Sequence, residues 1–103
     1  MLDVYNRSMF IHSFAFRWKI PVTDEQKQRV VTEIADLHNH IPGILDTVVG
    51  LNTSPRGQGY EVGGTMKFPD RATFEAYSKH PVHDKLLEWL WPLIDPVEVD
   101  YEV

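Results

Sequence analysis

The stretch that most constrains this chain is Ser8 to Lys19, SMFIHSFAFRWK. Read as a strand, one parity carries Phe10, His12, Phe14, Phe16 and Trp18, and the other carries Met9, Ile11, Ser13 and Ala15 before Arg17. A strand with one solvated face alternates apolar and polar side chains. Neither parity here does so, and both faces of the strand are expected to be covered. Helices can cover one face. The other would remain an exposed apolar patch unless a second sheet packs on it. In a chain of 103 residues the core is thin, and a second copy of the chain is the natural cover.

The rest of the sequence supplies the helices. Pro21 ends the strand, and Thr23 with Gln26 matches a capping box, with Asp24 and Glu25 in the first turn. Val30, Ile34, Leu37 and Ile41 recur at helical spacing, beside Val31 and His38, which predicts a helix from about Asp24 to His40. Pro42-Gly43 closes it. Ile44 to Asn52 and Tyr60 to Phe68 read as a hairpin around the turn-rich loop Thr53 to Gly59. Gly63-Gly64 predicts a bulge or a close backbone approach. Asp70 caps a short helix through Lys79, and His80-Pro81 breaks it. A further helical turn or two follows from Val82 to Trp91, with Leu86, Leu87, Leu90 and Trp91 as its apolar stripe. Val97, Val99, Tyr101 and Val103 then alternate with Glu98, Asp100 and Glu102 as a half-buried strand. The order βαββαβ is that of a ferredoxin-like α+β subunit, a four-stranded antiparallel sheet with helices on one face. Packing two such sheets face to face covers the open side, so a two-fold dimer is expected.

Charge and composition exclude several functions. The formal net charge of −5 opposes a general affinity for nucleic acid or for an anionic membrane surface. There is no cysteine, so disulfides, thiolate catalysis and cysteine metal sites are absent. No apolar run approaches the roughly 18 residues of a membrane span. Met1 to Arg7 carries an acid early and lacks an apolar run ending in small residues, and a cytoplasmic protein of one domain, residues 1–103, is expected.

Several landmarks occur in order: FIHSFAFRWK (Phe10 to Lys19), IPGI (Ile41 to Ile44), VGLNTS (Val49 to Ser54), Met66-Lys67-Phe68-Pro69 and YSKHPVH (Tyr77 to His83). Together they resemble the stress-responsive dimeric α/β-barrel family, often called Dabb, over nearly the whole chain. The resemblance implies a homodimer whose two sheets close into a dimeric α+β barrel, with a pocket in each subunit between helix and sheet. It also implies chemistry, because the functional His and Tyr positions of a plant polyketide cyclase in the family match His12, Tyr77 and His83. That cyclase closes a linear poly-β-keto thioester by aldol condensation.

The residues themselves permit such a role. Histidine titrates near neutrality, so His83 is the candidate base for an acidic proton between carbonyls. Tyr77 is the candidate hydrogen-bond donor to a developing oxyanion. His12 would orient a carbonyl or share a proton with His83. Phe14, Phe16, Met66 and Trp89 are the candidate pocket lining. Plainer roles stand beside these: His12 as a core histidine bonded to a backbone carbonyl, Tyr77 as a core aromatic, His83 as a cap for the helical turn, and His80 as a loop support. The aromatics could also fill the pocket, whereas a long-tailed substrate needs several hundred Å3. His38, His80, His83 and Asp84 offer metal-ligand atoms, but their spacing matches no zinc pattern, and neither a metal nor a cofactor is expected. The functional expectation is a small dimeric protein acting by acid–base chemistry on a small carbonyl compound. The alternatives are a non-catalytic stress-response dimer that binds a ligand and, by fold analogy alone, a cofactor-free monooxygenase.

Overall fold

A computed structural model describes residues 9–103; Ser8, the first residue of the expected strand, and the residues before it lie outside the described residues. The elements are β1 (Phe10–Trp18), α1 (Asp24–Asp36), a 3-10 turn (Leu37–Asn39), β2 (Asp46–Leu51), β3 (Val62–Phe68), α2 (Arg71–Ser78), α3 (Pro81–Leu90), a second 3-10 turn (Trp91–Leu93) and β4 (Ile94–Glu102). The strands form one antiparallel sheet in the order β2-β3-β1-β4, so β1 is central. This is the ferredoxin-like α+β subunit, with the helices on one face. Among the described residues no helix is long and apolar enough to cross a membrane.

The helices start where their caps dictate. The Thr23 hydroxyl accepts from the Gln26 amide at 3.1 Å, and the Gln26 side chain accepts from the Thr23 amide at 2.8 Å. Asp70 caps α2 by accepting from the Thr73 amide at 2.8 Å. His80 caps α3, its Nδ1 accepting from the Val82 amide at 3.1 Å, and Pro81 occupies the first turn, where no amide is needed. The predicted turn or two after His80 is therefore a full helix of ten residues. Gly43 has a positive φ of 90°, and a Cβ there would meet the Thr73 methyl, so the turn after α1 is closed to other residues.

β1 divides the molecule into two layers. Phe10, His12 and Phe16 are buried on the helix side with Val62, Met66 and Phe68 of β3 and with Val30, Ile34 and Leu37 of the first helical segment. Each such large apolar side chain contributes about 1.5–3 kcal/mol on burial. On the opposite face, register aligns Val48, Thr65, Ser13 and Val99 in one row and Gly50, Gly63, Ala15 and Val97 in the next. The middle of this face is small and flat, and its margins carry Val48 and Val99, each 58% exposed. Ile11, on the same face between Lys67 and Tyr101, is already buried within the subunit.

β4 differs from expectation. It begins at Ile94 and runs through Pro96, which an edge strand tolerates because one side of its ladder is unpaired. Every residue after Ile94 is exposed, so the strand is not half-buried within the subunit. Val97, Val99 and Tyr101 point to the open sheet face, and Pro96, Glu98, Asp100 and Glu102 point to the helix side.

The glycine pair forms no bulge. β1 and β3 pair without interruption from Phe10↔Phe68 to Phe16↔Val62. Gly64 instead seats the Phe14 ring, since a Cβ there would lie 2.3 Å from the ring's Cζ, whereas a Cβ on Gly63 would come no nearer than 4.0 Å to the Phe14 carbonyl oxygen. Gly64→Ala is expected to destabilise the fold by about 1–3 kcal/mol, the ordinary cost of overpacking. Gly63→Ala is expected to cost less. Urea denaturation of the two variants checks the difference.

Candidate functional site

The helices lie over β1, β2 and β3 and leave the helix side of β4 exposed. A cleft of about 260 Å3 opens between α3 and the β1–β4 pair. Its walls include Phe14 and Phe16 from β1, Leu86 and Leu90 from α3, and Pro96 and Glu98 from β4. His12, Tyr77 and His83 all line it. The three residues expected to act together are therefore brought together. Tyr77 and His83 have ring centroids 4.6 Å apart, and His12 and Tyr77 6.2 Å apart.

His83 does not cap the turn; that role belongs to His80. His83 lies in α3, and its Nδ1 is 3.1 Å from the Ser78 carbonyl oxygen. A carbonyl only accepts, so Nδ1 carries the proton and Nε2 holds a free lone pair. Burial lowers the His83 pKa below the ordinary 6.5, and it outweighs the opposing pull of the Ser78 hydrogen bond and of Asp84. The ring is neutral at neutral pH. Tyr77 is shifted the other way. Burial, then the negative charges of Glu98 and Asp100, raise its phenol pKa well above the ordinary 10.0, so it remains a proton donor.

His12 is buried, but its partner is not a backbone carbonyl. Its Nδ1 lies 2.6 Å from Asp100 Oδ1 and 3.8 Å from Glu98 Oε1. Antiparallel register creates this arrangement by setting His12 opposite Asp100 and Phe14 opposite Glu98. Phe74 flanks the imidazole, its ring centroid 5.0 Å away. Asp100 and Glu98 were not among the sequence candidates. The only hint was the β4 alternation, whose polar parity reads as a solvent face until the strand's register is known.

Two expected lining residues lie elsewhere. Met66 is fully buried in the core beneath the helices. Trp89 faces a separate groove between α1 and α3, where its indole N–H donates to Glu33 at 3.2 Å and the Arg29 guanidinium lies 3.9 Å from its ring centroid. That groove is larger, about 660 Å3, but Arg29 with Glu33 and His40 with Asp36 are already paired on its walls. It holds no arrangement of acid and base like that of the smaller cleft.

For a metal, the donors that come together among the described residues are His12, Glu98 and Asp100, whose ligand atoms lie within 4.8 Å of one another. His38, His80, His83 and Asp84 do not form such a group. His38 instead bonds the Ala35 carbonyl at 2.9 Å.

The sequence model of the Stress responsive A/B Barrel Domain, Dabb, matches residues 11–103. No curated protein sequence matches the chain. Among solved structures it is similar to a hydroxynitrile lyase from Passiflora edulis, with 18% identity, a TM-score of 0.86 and 94% of each chain covered. It is also similar to a dimeric ferredoxin-like protein of unknown function from Thermobifida fusca, with 26% identity, a TM-score of 0.82 and coverage of 94% of this chain and 92% of that one. A Dabb family protein with a ferredoxin-like fold from Mesorhizobium loti has 25% identity and a TM-score of 0.78 over 92% of this chain and 96% of its own.

The His83 shift carries a stability consequence. Above pH 6.5 the ring is neutral in folded and unfolded chains alike. Below it the unfolded chain takes up the proton first, and stability falls until the lowered folded value is passed. Denaturation from pH 8 to 5 should therefore show the wild type losing more stability than His83→Gln, with the divergence beginning near pH 6.5.

Proposed function

The chain belongs to the Stress responsive A/B Barrel Domain family, and from that premise we propose that it is an acid–base catalyst acting on small carbonyl compounds as a homodimer. The observation that carries this reading is the contact of His83 Nδ1 with the Ser78 carbonyl, which leaves Nε2 as the acceptor, in a cleft that Tyr77 also lines. A base that is neutral at physiological pH takes a proton from an acidic carbon or from a hydroxyl. The Tyr77 hydroxyl donates to the substrate oxygen on which charge grows. His12, anchored by Asp100, orients that oxygen.

In enolisation, His83 Nε2 takes the proton between two carbonyls and the electron pair moves onto the oxygen facing Tyr77. In cyanohydrin cleavage, the same nitrogen takes the hydroxyl proton as the carbon–carbon bond breaks, releasing cyanide and an aldehyde. The Passiflora edulis neighbour is a hydroxynitrile lyase, and this chemistry fits the same groups. The cleft of about 260 Å3 favours compact substrates over long-tailed ones.

Two probes test the reading: hydrogen–deuterium exchange in 1-phenyl-1,3-butanedione and aldehyde release from benzaldehyde cyanohydrin. Turnover of either is expected, with kcat reduced about 100-fold or more in His83→Ala and about 10- to 100-fold in Tyr77→Phe. Rates unchanged by His83→Ala, or no turnover of either probe, would favour the non-catalytic alternative.

Pairing through the open sheet face rests on its exposed apolar margins and on neighbours described as dimeric. Val99→Asp places a charge in the inter-sheet space and leaves the subunit core intact. It should weaken the dimer at least about tenfold in sedimentation equilibrium. An unchanged dimer would put the interface on another face.

A further inference from the structure

The walls of the cleft carry an unequal charge. Among its described lining residues there is no Lys or Arg; the one carboxylate is Glu98, and His12 has its Nδ1 held by Asp100 and 3.8 Å from Glu98. Asp100 stands just behind, bonded to His12. The nearby guanidinium groups are committed elsewhere: Arg71 is paired with Glu102 at 2.9 Å, and Arg17 with Asp95 at 3.4 Å on the other side of the sheet. His83 is neutral for the reasons already given. The remaining walls are apolar, from Phe14 and Phe16 to Leu90 and Pro96, and Trp91 stands half-exposed at the rim.

We infer that this cleft selects uncharged ligands and rejects carboxylates, phosphates and other anions, with Glu98 as the selecting residue. The inference rests on the acid–base reading for the kind of substrate, but the selection acts on binding alone. An anion entering the cleft meets no Lys or Arg, finds the His12 Nδ1 already taken by Asp100, and loses its hydration to apolar walls. It also approaches the half-exposed Glu98 carboxylate on the cleft wall, a like charge a few ångströms away. A neutral carbonyl compound bears neither cost and keeps the Tyr77 hydroxyl as its donor. Substrates that carry an acid group or a nucleotide tail are thereby excluded, which separates this site from one built to hold a thioester of an anionic carrier inside the cleft.

Acetophenone and benzoate test this, because they match in size and differ in charge. Each is titrated into the intact protein at pH 7.5 while the Trp91 indole N–H and the amides around Tyr77 are followed by NMR. Acetophenone should shift these signals, and benzoate should bind about tenfold or more weakly. Glu98→Gln should narrow the gap several-fold by strengthening benzoate and leaving acetophenone unchanged. Benzoate binding as tightly as acetophenone, a gap that Glu98→Gln leaves intact, or no response to either probe would overturn the inference. A charge gap without turnover of the diketone or the cyanohydrin counts against the chemistry and upholds the selection. Turnover without a charge gap does the reverse.

Discussion

The pairing of β1 with its two neighbours is the constraint on which the rest of the structure depends. β1 is central, so its backbone groups are satisfied on both edges and its side chains serve both faces of the sheet. Pairing with β3 places Phe14 over Gly64 and Phe10 opposite Phe68, which packs the core under the helices. Pairing with β4 places His12 opposite Asp100 and Phe14 opposite Glu98, which builds the polar end of the cleft. A slip of one residue in that second ladder would send the acids to the open face and the valines into the cleft. Fold and site therefore share one register.

The sheet's two faces then take different work. On the open side, small residues at the centre and Val48, Val97 and Val99 at the margins form a flat apolar surface suited to another sheet. On the helix side, three strands are covered and the fourth is not, and the gap over β4 becomes the cleft. The fold supplies a site because its helices fall short of its last strand. In that gap, burial favours the uncharged forms of both the His83 imidazole and the Tyr77 phenol.

Much of this was legible in the residues. The double apolar parity of β1, the Thr23–Gln26 capping box and the burial of Val30, Ile34, Leu37 and Ile41 each follow from local periodicity and hydrogen-bonding chemistry, although the helix expected to run to His40 ends at Asp36 and gives way to a 3-10 turn before Ile41. The His12, Tyr77 and His83 set also converges on one cleft. What escaped depends on long-range geometry. Asp100 and Glu98 look like solvent-facing acids until β4 is set against β1. Trp89 and Leu90 are adjacent on one helix but face different cavities, a distinction finer than an apolar stripe conveys. Gly64 signals a close approach, but nothing local says that an aromatic ring makes it. The Ser78 carbonyl that sets the His83 tautomer belongs to the end of the preceding helix, and no spacing rule points to it.

Acid–base chemistry in the cleft requires a neutral His83 imidazole whose Nε2 is free to accept a proton. Long-range 1H–15N correlation NMR of the histidine rings at pH 7 reads this directly. His83 should show a protonated Nδ1 and a bare, acceptor-type Nε2. A His83 signal with Nε2 protonated, either as the other neutral tautomer or as the imidazolium, would contradict it.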